Sequence, residues 1–272
     1  MKNISMGQYY SAESPIHRLD ARTKVILAIL YIVVSFLCKN ILAFALLFAS
    51  GIFIVLLSRI PFRVILRSMK PIIIIMILTI FINLFMTGGN VLLFEWQFIK
   101  IYAEGIYNAA FMAVRIVILI TGAGLFLTYT TTPIKLTDAI ERLLLPLSKI
   151  RVPVHEFAMM MTIALRFIPT LADETDKIMS AQKARGAGFD NGGLIKRARA
   201  LVPVLIPLFV SSFRRADELA TAMECRCYHG GKGRTKMTVT HMRLSDAFAM
   251  LLMVLLGTAV VLLNIYGIGY SM

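Results

Sequence analysis

Five long apolar runs, at 25–38, 41–57, 71–85, 105–130 and 247–265, constrain this 272-residue chain more than any other feature. A helix rises about 1.5 Å per residue and the hydrocarbon layer is about 30 Å thick, so roughly 20 apolar residues can span it. With 58% hydrophobic and 16% charged residues, the composition also lies outside the range of ordinary soluble domains. The sequence therefore predicts an all-α, polytopic membrane helical bundle with five spans.

The distribution of basic residues predicts how this bundle is oriented, because Lys and Arg in short loops prefer the cytoplasm. The segment before the first apolar run carries the basic residues Lys2, Arg18, Arg22 and Lys24. The loop after the second run carries Arg59, Arg63, Arg67 and Lys70. The loop 86–104 has one Lys, two Glu and four aromatic residues typical of an outer membrane interface: Phe94, Trp96, Phe98 and Tyr102. We expect a multi-pass protein of a prokaryotic plasma membrane, without a removable signal peptide, and with a cytoplasmic N-terminus.

The segment 131–243 should then be cytoplasmic, and it holds 18 of the 29 basic residues. Its apolar runs at 157–168 and 201–213 are too short to span a bilayer and are each followed by a polar helical segment. Pro153 and Pro169 flank the first run and Pro203 and Pro207 lie within the second, and a proline inside a helix favours a bend. The sequence thus predicts a four-span bundle (1–131), a cytoplasmic or interfacial region of two long helices (132–242) and a last span (243–272).

These two long helices contain a repeat. Segment 176–185 matches 217–226 at five of ten positions, and both copies end in an Arg followed by several glycines, as at helix C-termini. A single Arg there would need no explanation beyond the helix dipole. A duplicated Arg with its helix predicts a duplicated partner.

The topology, the stretch Arg166-Phe167-Ile168-Pro169 and the triplet Ala184-Arg185-Gly186 resemble the T component of energy-coupling factor transporters for vitamins and transition-metal ions. This family is the transmembrane coupling subunit of those importers. The resemblance implies that two coupling helices end in Arg motifs, each docking on one of two ATP-binding-cassette ATPases. The second motif here is Cys225-Arg226-Cys227, which departs from the family pattern by carrying Cys where Gly often follows.

The resemblance also implies a separate membrane-embedded substrate-binding subunit, the S component, packed on the apolar halves of the coupling helices. Met repacks readily, so a Met-rich surface suits such a partner. The expected contact residues are Phe157, Met159, Met160, Met161 and Phe209. The methionines equally suit the core of the bundle.

The sequence carries none of the common enzyme motifs considered for a chain of this kind, such as a nucleotide-binding phosphate loop. The sequence lacks the G-x-x-x-x-G-K-[ST] phosphate loop, so we expect no cofactor in this chain and assign ATP and Mg²⁺ to the partner ATPases. Cys225, Cys227 and His229 do not predict a metal site, because positions two apart face different sides of a helix.

Two other classes of function remain open. An autonomous secondary transporter or channel would need inverted repeats and broken helices. A membrane-anchored nucleic-acid or lipid-binding protein would need an uninterrupted basic face, whereas acids intersperse the basic residues of 131–243. We therefore expect no nucleic-acid partner.

Arg115 is the most costly residue within the predicted spans. It shares a helical face with Asn108, and Asn83 on the preceding span is a candidate partner at similar depth. A substrate or ion pathway would need further charged groups, so the sequence favours a structural polar contact.

Overall fold

The computed structural model describes residues 9–88, 92–96, 99–189, 193–231 and 241–266. Within these ranges the chain forms eight α-helices: α1 (Ala21–Leu37), α2 (Ile41–Ser58), α3 (Phe62–Met86), α4 (Ala103–Ala123), α5 (Pro133–Leu144), α6 (Val154–Ala184), α7 (Leu194–Cys225) and α8 (Leu244–Ile265). A π-helical turn, Gly124–Tyr129, extends α4, and a 3₁₀ turn, Leu145–Ile150, extends α5. The predicted class, a helical polytopic membrane protein, is confirmed.

Of the helices in the described ranges, four are long and apolar enough to cross a membrane: α2, α3, α4 with its π-helical turn, and α8. The remaining predicted span, α1, is 17 residues long and carries Arg22 and Lys24 in its first turn. At about 1.5 Å per residue it measures about 26 Å, slightly less than the hydrocarbon thickness. Seven of its residues are buried, so α1 is the best-packed helix of the bundle.

The third span begins earlier than predicted. Helix α3 starts at Phe62 and continues through Pro71, so Arg63, Arg67 and Lys70 lie on its first turns and not in a loop. The prediction followed the apolar run, which begins at Pro71 and is preceded by these basic residues. Packing extends the helix to an earlier start, because Ile65 is buried in a small cluster with Leu125 and Tyr129.

The loop 86–104 contains an unpredicted hairpin. Strand β1 (Leu92–Trp96) pairs antiparallel with β2 (Ile99–Tyr102), with Glu95 opposite Lys100 and Trp96 opposite Ile99. Strands of four and five residues are too short to give a clear alternating pattern. Phe98, one of the aromatic residues expected at the outer interface, lies outside the described residues.

Helices α1 and α8 run parallel and are joined by hydrogen bonds at both ends. At their starts, the Asp20 N–H donates to the buried Asp246 carboxylate at 2.8 Å. At their ends, Asn264 Nδ2 donates to the Leu37 carbonyl at 2.6 Å. Lys24 Nζ donates to the Thr130 carbonyl at 2.8 Å, which places the end of the α4 segment beside the start of α1. The chain therefore leaves this bundle after α4 and re-enters it with α8 at the same end, as the predicted alternation of spans requires.

The core of the bundle is built around Tyr31, which is fully buried on α1. Its ring packs edge-on against Phe126 and directly against Gly122, where a Cβ atom would overlap the ring. Its hydroxyl donates to the Leu47 carbonyl at 3.3 Å. Glycine at position 122 thus permits the close approach of α1 and α4.

The chain divides into two compact units, with the boundary inside α5. One contains the described residues of Gly7–Ala139 and Thr240–Met272, and the other those of Ile140–Val239. The second unit includes both α6 and α7. The division into 1–131, 132–242 and 243–272 stays a prediction.

Candidate functional site

Helices α6 and α7 are the two long helices predicted from the apolar runs, and they pair antiparallel. Near the end of α6, Gln182 Nε2 donates to the Pro203 carbonyl near the start of α7 at 3.5 Å. Midway, Arg215 Nη2 donates to Glu174 Oε2 at 2.9 Å. Past the end of α7, Gly231 lies against the ring of His155 at the start of α6. The C-terminal ends of the two helices consequently point in opposite directions.

Arg185 and Arg226 occupy the same position at these two ends. Each is the residue that caps its helix, with φ, ψ of −85°, 8° for Arg185 and −92°, 16° for Arg226. After Arg185, the Ala187 N–H donates to the Gln182 carbonyl and the Gly186 N–H to the Lys183 carbonyl. After Arg226, the same two bonds run from Tyr228 to Met223 and from Cys227 to Glu224. Both are Schellman caps, so the sequence repeat corresponds to a repeated backbone geometry.

The two caps differ in the residue that follows the arginine. Gly186 has a φ of 87°, in the left-handed region that glycine adopts at no steric cost. Cys227 occupies the equivalent position with a φ of 56°, where a Cβ atom crowds the carbonyl. The departure of the second motif from the family pattern is thus accommodated by backbone strain and leaves the position of Arg226 unchanged.

Exchanging these two residues should shift the stability of each cap in opposite directions. Gly186→Ala should lower the free energy of unfolding by about 1 kcal/mol, the cost of left-handed backbone in a non-glycine residue. Cys227→Gly should raise it by less than about 1 kcal/mol, because glycine also gains entropy in the unfolded chain. Thermal unfolding in detergent measures both, with Cys225→Gly, inside α7, as a control that should only destabilise. A stabilising Gly186→Ala would contradict the cap geometry.

Both arginine side chains are exposed, and neither has a hydrogen-bond or ion-pair partner among the residues that the structure describes. A guanidinium at a helix C-terminus is stabilised by the helix dipole and presents a rigid fork of donors. Such a fork fits a carboxylate or a pair of backbone carbonyls. Each end of the α6–α7 pair therefore presents one exposed cation that pairs with none of the described residues. The flanking residues Ala184 and Cys225 end their helices and are also exposed.

Each helix also carries an exposed apolar stripe at helical spacing. On α6 it contains Phe157, which is 63% exposed, with Met160, Met161 and Ile168. On α7 it contains Val202, Leu205, Ile206, Phe209, Val210 and Phe213. Of the five residues expected to contact a membrane subunit, four lie on these stripes, and Met159 is half-buried.

Glu174 and Arg215, which the sequence analysis did not single out, form an ion pair where α6 and α7 meet. Their side chains are 21% and 38% exposed. A hydrogen bond from the Ser211 hydroxyl, together with the charge of Arg215, lowers the pKa of Glu174. Arg215 also lines an apolar groove of about 260 Å³ between the helices. Glu174 and Arg215 are 41 positions apart, as are Arg185 and Arg226. A search for identical residues in the two copies does not find them, because one is acidic and the other basic.

Arg115 makes a different polar contact from the one expected. Its Nη2 donates to the Cys38 carbonyl at the end of α1 at 3.1 Å, and its guanidinium lies 5.1 Å from the ring centre of Phe44. Asn83 instead donates to the Thr79 carbonyl of its own helix. Asn108 lies half-buried on the same helix as Arg115. These contacts join α4 to the α1–α2 connection.

The Cys225–His229 segment shows no arrangement suited to a metal ion. His229 Nδ1 is hydrogen-bonded to the Cys227 carbonyl at 2.8 Å, and both cysteines are exposed and free. Among the described residues, no group of three or more His, Cys, Asp or Glu side chains is placed to hold a metal.

Comparison with known proteins identifies the family to which this arrangement belongs. Residues 12–239 match the family described as CbiQ, cobalt transport protein. The chain is 55% identical over 238 residues to the energy-coupling factor transporter transmembrane protein EcfT of Clostridium kluyveri, covering 87% of this chain and 88% of that protein. It is 50% identical over 256 residues to the EcfT of Acidaminococcus fermentans, covering 94% and 95%. The EcfT of Bacillus subtilis is 48% identical over 236 residues, covering 87% and 89%. The chain therefore belongs to the CbiQ/EcfT family of transporter transmembrane proteins.

Proposed function

We propose that this chain is the coupling subunit of an energy-coupling factor importer. In this role it transmits ATP binding and hydrolysis in two partner ATP-binding-cassette ATPases to a separate substrate-binding membrane subunit. The observation that carries the proposal is the pair of exposed arginines, Arg185 and Arg226, which occupy the same backbone cap at opposite ends of α6 and α7 and pair with no described residue. Two equivalent docking groups suit two equivalent ATPases.

The helices that bear these arginines are suited to transmit movement. With 31 and 32 residues, α6 and α7 are each about 46–48 Å long. The Schellman caps fix the backbone up to the arginine, so a displacement of the docked arginine moves the whole helix. Closure of two ATPases towards each other would then change the relative position of α6 and α7, as packed helices move in shear transitions.

The exposed apolar stripes supply the surface for the substrate-binding subunit. Side chains such as Phe157 and Phe209 are too large and too exposed for a surface that faces only water. Met160 and Met161 allow one surface to repack against different partners. We assign vitamins or transition-metal ions as the transported substrates, bound by that second subunit.

We assign ATP hydrolysis to the partner subunits because this sequence has no phosphate loop. This chain is then a non-catalytic subunit, and the ATPases hold ATP and Mg²⁺. We place the protein in a prokaryotic plasma membrane with its N-terminus and both Arg motifs in the cytoplasm. The basic residues Arg59, Arg63 and Arg67 at the end where α1 begins support this orientation.

Purification of the tagged chain from its native cells in mild detergent tests the proposal. We expect two ATPase subunits and at least one further membrane protein to co-purify, and the complex to hydrolyse ATP. The isolated chain should neither hydrolyse ATP nor bind a vitamin or metal ion in calorimetry. Saturable substrate binding by the isolated chain, without ATPases in the native preparation, would instead identify an autonomous transporter.

A further inference from the structure

The Glu174–Arg215 ion pair lies at a special point of the α6–α7 repeat. The two residues are 41 positions apart, the same offset that relates Arg185 to Arg226. They are therefore equivalent positions of the two copies, and they contact each other at 2.9 Å. In a pair of helices related by a two-fold axis, only a residue on the axis meets its own equivalent. The local pseudo-two-fold axis of α6 and α7 thus passes through this ion pair.

A second contact between α6 and α7 can be compared with that axis. Gln182 of α6 contacts Pro203 of α7 on one side of the ion pair. The positions equivalent to these two, 223 and 162, should approach each other on the opposite side. Met223 does line the groove between the helices together with Ile163.

An exact repeat could not place a charged residue at this point, because the residue would face a copy of itself. Here one copy has Glu and the other Arg, so the charges attract. The same exchange of sign occurs at other equivalent positions: Asp173 and Arg214, Lys177 and Glu218, and Lys183 and Glu224. The two copies have opposite charges at their point of contact, Glu174 and Arg215, and identical arginines where they end.

The position of the ion pair also sets the length of the two helix arms. Glu174 precedes Arg185 by 11 residues, and Arg215 precedes Arg226 by 11 residues. At about 1.5 Å per residue, each arm from the crossing point to its arginine is about 16 Å long. A slip of one helix by a single turn, about 5.4 Å, would make the arms unequal and would misplace one arginine relative to its partner.

We infer that the Glu174–Arg215 ion pair is the pivot of the two coupling helices: it fixes their crossing point so that equal arms carry Arg185 and Arg226. Both are positioning residues, since they act through the arginines and touch neither ATPase nor substrate. This inference rests on the proposed coupling function. It adds that ATP hydrolysis drives uptake only while the crossing point is held.

Charge reversal with rescue tests the pivot in the complete complex, reconstituted in proteoliposomes. Glu174→Arg and Arg215→Glu should each leave ATPase co-purification unchanged, because both docking arginines remain. Each should lower uptake per ATP hydrolysed by roughly threefold to tenfold, the usual size of coupling between contacting residues. The double variant Glu174→Arg/Arg215→Glu should return that ratio to within about twofold of the wild type. Asp176→Arg makes the same change of charge at an exposed position on α6 and should have no effect.

A distance measurement distinguishes failure of the pivot from failure of the proposed function. Nitroxide labels on p-acetylphenylalanine at the equivalent positions Gly188 and His229, which leave the native cysteines intact, report the separation of the two helix ends. The distance distribution should broaden in each single variant and narrow again in the double variant. Unchanged distributions and unchanged uptake per ATP in the single variants would overturn the pivot, as would a double variant as impaired as the single ones. If the label distances in the double variant return to those of the wild type but no protein, including the wild type, shows ATP-driven uptake, the proposed coupling function is overturned instead.

Discussion

Replacing both Arg185 and Arg226 with alanine should abolish ATP-driven uptake, whereas each single replacement should weaken assembly with the ATPases. Removing one member of a desolvated, hydrogen-bonded charge pair at an interface costs about 2–5 kcal/mol, largely because its partner is left unpaired. A cost of about 2–5 kcal/mol corresponds to a roughly 30-fold to several-thousand-fold loss of affinity. In a single variant, the remaining arginine should still dock one ATPase. In the double variant, neither helix end has a guanidinium to bind an ATPase.

The geometry of the guanidinium, and not its charge alone, should determine the effect. Arg185→Lys and Arg226→Lys should therefore be intermediate, because an ammonium cannot form two parallel hydrogen bonds to one partner. Co-purification of the ATPases at fixed salt measures assembly, and substrate uptake in proteoliposomes measures coupling. The caps themselves should persist in all five variants, because their hydrogen bonds involve only the backbone.

Arg199 offers a matched control. It is exposed on α7, outside the repeat, and its removal changes the net charge by the same amount. Arg199→Ala should leave assembly and uptake near wild-type values, since an exposed charge contributes less than about 1 kcal/mol. If the double variant Arg185→Ala/Arg226→Ala still assembles and transports at the normal rate, these arginines do not carry the coupling.

The helices were predictable where a long apolar run or a repeated motif marks them. The spans α2, α4 and α8 and the long helices α6 and α7 have the expected bounds to within a few residues, except that α7 begins seven residues before its apolar run. The start of α3 was missed because the prediction followed the apolar run 71–85, whereas the preceding basic turns join the helix through the packing of Ile65. The hairpin of β1 and β2 was missed because its strands are short.

In the candidate site, the residues that are identical in the two copies of the repeat were predictable, and those of opposite charge were not. Arg185 and Arg226 stand out in the sequence because the two copies agree. Glu174 and Arg215 do not, because a contact across a pseudo-two-fold axis requires residues that differ in charge. The partner of Arg115 could not be foreseen either, since it is a backbone carbonyl, that of Cys38, and not a side chain.

Loss of the Asp246 carboxylate should produce the largest change in the stability of the bundle. Asp246 is 1% exposed at the start of α8, and its two oxygens accept hydrogen bonds from the Asp20 N–H at 2.8 Å and the Arg243 N–H at 2.7 Å. Each buried donor left without an acceptor costs about 1–3 kcal/mol. Asp246→Ala should therefore lower the free energy of unfolding by about 2–3 kcal/mol, because it leaves the buried Asp20 N–H unpaired, whereas water can reach the N–H of the exposed Arg243.

Asparagine at the same position separates the loss of hydrogen bonds from the loss of volume. Asp246→Asn keeps the shape of the side chain but turns one acceptor into an NH₂ group that faces an N–H donor. It should cost about half as much as Asp246→Ala, because one of the two hydrogen bonds survives. Denaturant unfolding in detergent measures both variants, with Asp217→Ala, at an exposed position of α7, expected within about 0.5 kcal/mol of the wild type. Equal stability of the Asp246→Ala and Asp217→Ala variants would show that this carboxylate does not hold α8 to the start of α1.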